Sequence, residues 1–184
     1  PTVIEATILV AFRSLSAIAS GAWRLTATTI SGLSHLEGET VDVLGDGATH
    51  SQVVVASGAI TVQRPISYAV VGLPAPCYLT TMRLEAGAAD GTAQGKTKRV
   101  TRCAIRLVET VAGTAGPDDD GQDQILFRDA TMAMDEAIPP FSGDKEIAWP
   151  GGYETDAYLR YENELPLPAT VVAFMPQVVT QDRG

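Results

Sequence analysis

Hydrophobic and polar residues alternate with a period of two along most of the chain, a pattern that predicts β-strands with one buried face. These segments are rich in Val, Ile and Thr, which favour strands. Only residues 130–137 have weak helical character, and Pro139-Pro140 ends that segment. Strands are predicted at residues 2–12, 23–30, 40–44, 53–55, 59–62, 77–85, 98–109, 125–128, 157–162 and 169–175.

Glycine-containing turns separate the strands between residues 32 and 73. Gly45-Asp46-Gly47 follows the alternating segment 40–44, and glycine permits the positive φ of a tight reversal. Ser57-Gly58 joins two β-branched segments as a two-residue hairpin turn. Short strands and tight turns leave no room for a helix or a reactive cluster, so residues 32–71 are predicted to form a small β-barrel module.

The strand at 98–109 has the clearest alternation in the chain. Its charged residues fall on both faces, as in a strand that protrudes or packs against a neighbouring chain. Strict alternation predicts one face made of Val100, Arg102, Ala104, Arg106 and Val108, and another made of Arg99, Thr101, Cys103, Ile105, Leu107 and Glu109.

These patterns predict an all-β fold, a mostly antiparallel sandwich or barrel with the small β-barrel module set between its strands. The main β-domain would comprise residues 1–31 and 72–178, with the module at 32–71 and a loose tail at 179–184. The acidic segment 113–123 and the Gly/Ala-rich segment 86–95 are predicted to be loops. The chain begins at Pro1 and enters a strand-like pattern at once, so we expect a processed product or part of a longer polypeptide.

Composition narrows the classes of partner. A hydrophobic content of 45% is that of a globular protein, and 13 Lys+Arg against 22 Asp+Glu give a net charge of −9. That balance argues against a protein that grips a nucleic-acid backbone, and it fits solubility or a surface along which a polyanion slides. No apolar run approaches the ~18 residues of a membrane span. Cys77 and Cys103 are expected to be buried free thiols, although a disulfide between neighbouring strands stays open.

Two segments partly match ligand-binding motifs. Residues 90–97 end in Gly-Lys-Thr like a phosphate-binding loop, but Asp90 stands where that loop needs glycine, and a strand follows instead of a helix. In the acidic run 118–123, alignment of Gly121 with the glycine of a calcium loop places Gly116 and Phe127 where the acidic ligands belong. We therefore expect neither a nucleotide site nor a calcium site.

The remaining polar and aromatic residues also lack a catalytic pattern. His35 and His50 have no Cys or His partner at zinc spacing and no nucleophile elbow, so both are interpreted as turn or surface residues. The carboxylate pairs Asp144/Glu146 and Glu162/Glu164 have cations beside them, as on a solvated strand edge. We expect no catalytic residue, no cofactor-binding residue and no metal ligand, and the chain is not predicted to be an enzyme.

Several separated motifs together resemble one family of bacteriophage virion proteins. The resemblance extends from about residue 30 to residue 176. The motifs are Gly32-Leu33-Ser34-His35-Leu36-Glu37-Gly38-Glu39-Thr40-Val41, Leu44-Gly45-Asp46-Gly47, Gly72-Leu73-Pro74, Gly91-Thr92-Ala93-Gln94-Gly95-Lys96-Thr97-Lys98-Arg99, Phe141-Ser142-Gly143-Asp144-Lys145 and Pro166-Leu167-Pro168. They are similar to the C-terminal region of the tail nozzle, or tail tubular protein, of short-tailed phages.

The resemblance implies a structural virion protein, assembled in the bacterial host cytoplasm and located in the phage tail. It implies a homo-oligomeric ring, hexameric if nozzle-like, with portal, adaptor and fibre proteins as neighbours. Such a ring retains the genome and then conducts it during ejection, without sequence-specific DNA binding and without a membrane. Residues 32–71 also look like the first catalytic-cysteine half-domain of ubiquitin-activating enzymes in fold alone, because no adenylation motif accompanies them.

Two other functions stay open. Trp149, Tyr153 and Tyr158, with Tyr161 nearby, could stack glycans, which would make the chain a tail-tip or receptor-binding module. A hydrolase would need the carboxylates between Asp144 and Glu164 to act as an acid–base pair.

Overall fold

A computed structural model describes residues 14–17, 23–85, 92–117, 121–133 and 136–181. The predicted all-β class is confirmed, because the described residues form antiparallel strands and one short 3-10 helix, Ser34–Leu36. The chain divides into two compact units. Unit 1 comprises residues 1–75 and 134–138, and unit 2 comprises residues 76–133 and 139–184. The strand predicted at 2–12 lies outside the described residues.

The described residues of unit 1 form two three-stranded antiparallel sheets. Their orders are β1-β2-β5 and β4-β3-β6. The strands are β1 (Ser14–Ala17), β2 (Trp23–Ser31), β3 (Thr40–Gly45), β4 (Ala48–Val54), β5 (Ala59–Ile66) and β6 (Ala69–Gly72). Apolar side chains from both sheets share one core, which consists of Ile30, Leu33, Val41, Val43, Val55, Ile60, Val62, Ile66 and Val71.

Both predicted tight turns of unit 1 are confirmed. Asp46 and Gly47 connect β3 to β4 with φ values of 49° and 79°. Ser57 and Gly58 connect Ala56 to Ala59 with φ values of 54° and 66°. Positive φ at both central residues defines the type I′ turn, whose twist matches that of the flanking strands.

The prediction that residues 32–71 form a closed barrel is wrong. Among the described residues no sheet closes on itself. Beside the Ser57-Gly58 turn a bridge joins Ala56 to Ala59, and β5 then continues along β2, outside the proposed module. The pairing of β5 with β2 skips from Thr61 to Ile66, and that stretch contains Pro65, which has no N–H to donate.

Unit 2 contains a four-stranded and a three-stranded antiparallel sheet. The four-stranded order is β10-β9-β12-β7, and the three-stranded order is β11-β8-β13. The strands are β7 (Cys77–Thr80), β8 (Thr97–Thr110), β9 (Thr114–Gly116), β10 (Asp123–Gln124), β11 (Phe141–Ala148), β12 (Arg160–Asn163) and β13 (Val171–Gln181).

The central strand β8 carries a bulge that changes its predicted faces. Arg102 pairs with Gln177 and Val100 with Val178, so Thr101 has no opposite residue in β13. An extra residue in one strand shifts the alternation by one position, so the side chains beyond it change to the opposite face of the sheet. Residues 102–108 alternate as predicted. Val100 is nevertheless buried together with Cys103, and the prediction that it shares a face with Arg102 is wrong.

Two predicted elements, the strand at 125–128 and the weak helix at 130–137, are absent from the described residues. Ile125 and Phe127 are buried and Leu126 is exposed, as in a strand, but residues 125–128 are not paired into a sheet. The described residues of the predicted weak helix, 130–133 and 136–137, form a turn, bends and irregular backbone instead. The Asp129 carboxylate accepts hydrogen bonds from the Thr131 amide and hydroxyl, which competes with helical backbone bonding.

The boundaries of other elements also differ from prediction. β7 ends at Thr80 instead of residue 85, and β9 and β10 occupy part of the predicted loop 113–123. The prediction missed β6 and β11. β13 continues to Gln181, so residues 179–181 belong to a strand and not to a loose tail.

Candidate functional site

The C-terminal aromatic residues do not share one exposed surface. Trp149 is only 7% exposed, whereas Tyr153 is 47% exposed. Trp149 and the half-buried Tyr158 line a small cavity, and the Tyr158 hydroxyl accepts a hydrogen bond from Arg83 Nε at 3.1 Å. The Arg99 guanidinium lies 5.8 Å from the centroid of the Tyr153 ring. This arrangement gives a glycan no common stacking platform in these three residues.

Lys98 lies buried beside the same cavity, a position that sequence alternation did not predict. Its Nζ donates to the Thr155 carbonyl at 3.2 Å, and its backbone exchanges two 2.7 Å hydrogen bonds with Glu154. The bulge at Thr101 accounts for the burial, because it turns Lys98, together with Val100, to the buried face of β8. Lys98 therefore ties residues 154–155 to β8.

The first predicted carboxylate pair belongs to a cross-strand ladder. Arg106 donates to both carboxylate oxygens of Asp144, at 2.7 and 2.8 Å. Arg102 donates to Glu146 at 3.0 Å. The hydrogen bonds and charge of Arg106 hold the pKa of Asp144 below its usual value, whereas a general acid at neutral pH needs a raised pKa. The ladder is suited to holding β8 against β11.

The second carboxylate pair borders an open cavity of about 270 Å³. Glu162 accepts from Gln122 Nε2 at 3.2 Å, and the Arg160 guanidinium lies 3.3 Å away. The Gln122 carbonyl accepts from the Thr114 hydroxyl at 2.6 Å. Sequence reasoning missed this cavity, because it forms only where β9 pairs with β12, whose residues are far apart in the chain. Three of the polar side chains that line it, those of Thr114, Gln122 and Glu162, are therefore joined by hydrogen bonds.

The two histidines lie in different environments of unit 1. His35 is exposed on the 3-10 helix, and His50 is half-buried on β4. Burial lowers the pKa of His50, the nearby Arg64 lowers it further, and Asp46 opposes both effects. Within the described ranges, no three His, Cys, Asp or Glu side chains are close enough to hold a metal ion. Residues 90–91 and 118–120 of the two partly matching segments lie outside those ranges.

Both cysteines are free thiols. Cys103 is buried on β8, and burial raises the pKa of its thiol to about 11. Cys77 is exposed on the edge strand β7, so its predicted burial is wrong. β7 lies at the end of its sheet, and a one-sequence pattern does not distinguish an edge strand from a central one.

Two carboxylates in the resembling motifs hold backbone turns. Glu37 accepts from the amides of Ser57 and Gly58, at 2.7 and 2.6 Å. Asp46 accepts from the amides of Ser67 and Tyr68, at 2.9 and 3.0 Å. Each carboxylate thus fixes two consecutive backbone donors that lie 20 to 22 residues away in the chain. Such contacts stabilise a scaffold.

No protein-family model matches the chain, and no curated protein matches it either. Within the part of the chain that the structure describes, no helix is long and apolar enough to cross a membrane.

Proposed function

We propose that this chain is a structural module of a phage tail, similar to the C-terminal region of a nozzle or tail tubular protein. The module belongs to a homo-oligomeric ring in the virion, hexameric if nozzle-like. The ring retains the genome before ejection and conducts it afterwards, and it performs no catalysis.

The observation that carries this proposal is the role of the motif side chains. Glu37 and Asp46 bind turn amides, and Asp144 forms a bidentate pair with Arg106 across two strands. Each of these carboxylates is engaged in holding backbone or strand pairs together. Motif residues used in this way are typical of a building block, whereas catalytic residues converge on a cleft.

Partners follow from the same proposal. The module contacts other copies of itself, the portal and adaptor proteins above it, and tail fibres. DNA passes without sequence-specific contacts, which fits a net charge of −9.

Mass photometry and negative-stain imaging of the protein test the proposal. We expect closed rings, with a mass close to six copies if the protein is nozzle-like. Antibodies against the chain are expected to label the tail end of intact particles. A monomer at every concentration, together with no labelling of particles, would contradict the proposal.

A further inference from the structure

The ring of His50 occupies a space that exists only because residue 45 is a glycine. His50 lies on β4 opposite Val43 of β3. A Cβ atom at position 45 would lie 2.6 Å from His50 Nε2 and 2.7 Å from Ile66 Cγ2. The ring therefore packs directly on the Gly45 backbone, at the end of the hairpin that β3 and β4 form.

The Nε2 atom of His50 is buried and has no hydrogen-bond partner among the described residues. A neutral imidazole with its proton on Nδ1 leaves only a lone pair at that atom. Protonation would place an N–H donor there without an acceptor, and a buried unsatisfied donor is destabilising. The packing is thus compatible with the neutral ring and incompatible with the charged one.

Two charged groups face His50 from neighbouring elements of the described structure. Arg64 of β5 opposes a positive charge on the ring, and Asp46 of the β3–β4 turn favours one. Both oxygens of the Asp46 carboxylate already accept hydrogen bonds from the Ser67 and Tyr68 amides. Burial and Arg64 therefore outweigh Asp46, in agreement with the direction in which the pKa is displaced.

We propose that His50 is an acid-sensitive latch of unit 1. Protonation of its ring is linked to loss of its packing on Gly45, so the end of the β3–β4 hairpin opens as the pH falls below neutral. This property is independent of the proposed function and would exist in any assembly state of the chain.

The direction of the effect follows from proton linkage. Above the ordinary histidine pKa of about 6.5, the ring is neutral in both the folded and the unfolded chain. The contribution of the neutral His50 ring to the free energy of unfolding is then fully present. As the pH falls below that value, the unfolded chain binds the proton first. The free energy of unfolding therefore falls with pH until the lower pKa of the folded state is reached. Below that pKa, His50 causes no further change.

NMR titration of the two histidine rings in the unmodified chain, from about pH 8 to about pH 5, is the first test. We expect the ring of His50 to titrate below the ordinary histidine value of about 6.5. Titration of His50 at that value, or above it, would overturn the proposal.

Amide hydrogen exchange and urea unfolding at several pH values form the second test. The chain and its His35→Gln variant are expected to lose protection in β3 and β4 on acidification, while His50→Gln loses less. An equal loss in His50→Gln would show that another group is responsible. If His50→Gln does not fold, the ring titration of the unmodified chain decides the question alone.

Discussion

At the scale of single residues, Tyr161 fixes the backbone at residues 112 and 113. Its hydroxyl donates to the Ala112 carbonyl at 2.6 Å, in a buried position. A Cβ at Gly113 would lie 2.2 Å from that hydroxyl oxygen, and Gly113 has a φ of +154°. The Tyr161 side chain therefore needs the Ala112 carbonyl as its acceptor and a residue without a side chain at position 113. These two requirements link β12 to the segment that precedes β9.

We expect Gly113→Ala to destabilise unit 2 by about 1–3 kcal/mol or more, because the added methyl overlaps the buried Tyr161 hydroxyl. Gly152→Ala is the matched control, since a Cβ there meets no heavy atom within 4 Å. Urea unfolding of the two variants measures the difference. Equal stability of Gly113→Ala and Gly152→Ala would contradict the close approach of Tyr161.

Tyr161 also predicts a loss of stability at alkaline pH. Burial raises the pKa of its hydroxyl to about 12. Between the ordinary value of about 10 and that value, the unfolded chain releases the proton first, so stability falls as the pH rises. Tyr161→Phe should lack this fall and should lose roughly 1–3 kcal/mol at neutral pH, because the Ala112 carbonyl loses its buried donor.

Denaturant titrations at neutral and alkaline pH separate these two effects. Tyr153→Phe is the control, because Tyr153 is 47% exposed. A Tyr161→Phe variant with the same alkaline loss as the unmodified chain would assign that loss to another group.

At the scale of elements, alternation predicted strands better than it predicted their partners. Residues 102–108 alternate as predicted. Beyond the bulge at Thr101, however, the side chains of Lys98 and Val100 lie on the opposite face from the predicted one. Residues 125–128 show the opposite error, since they alternate in burial without joining a sheet. Alternation reports which side chains are buried, whereas a bulge or a missing partner depends on backbone bonds to distant residues.

The Ser57-Gly58 turn was predictable in type, but its carboxylate partner was not. Glu37 lies about twenty residues before the turn, and its carboxylate accepts from both turn amides. We expect Glu37→Ala to cost roughly 1 kcal/mol, because both charge-assisted hydrogen bonds are lost at an exposed site. The Ser57 and Gly58 amides should then exchange faster with solvent.

Glu39→Ala is the matched control for Glu37→Ala. Both glutamates are exposed, and Glu39 lies two residues after Glu37, directly before β3. Hydrogen exchange resolved to single amides distinguishes the two variants. Unchanged exchange at Ser57 and Gly58 in Glu37→Ala would rule out the role of the carboxylate in the turn.

At the scale of the whole molecule, the order of the strands could not be read from the sequence. β12 lies between β7 and β9, although more than forty residues separate it from each of them. The cavity beside Glu162 depends on that pairing. Local patterns contain no information about such distant partners, so the fold class was predictable and the cavity was not.

Charge is the whole-molecule property with the clearest consequence for DNA. The net charge is −9, and four exposed or half-buried arginines already face carboxylates within the fold. These ion pairs are Arg83–Asp156, Arg102–Glu146, Arg106–Asp144 and Arg160–Glu162. Pairing with carboxylates makes these four arginines less available to displace the counterions of DNA, the step on which phosphate binding depends.

We expect the chain to show no measurable binding of double-stranded DNA, even at about 50 mM salt, where phosphate contacts are strongest. The double variant Asp144→Asn/Glu146→Gln is the informative comparison, because it removes two negative charges and releases Arg106 and Arg102. Any binding gained by this variant should weaken steeply with added salt. Fluorescence anisotropy of labelled DNA measures both proteins. Salt-resistant binding by the unmodified chain would contradict a surface along which DNA slides, because such binding requires specific contacts that its charge does not provide.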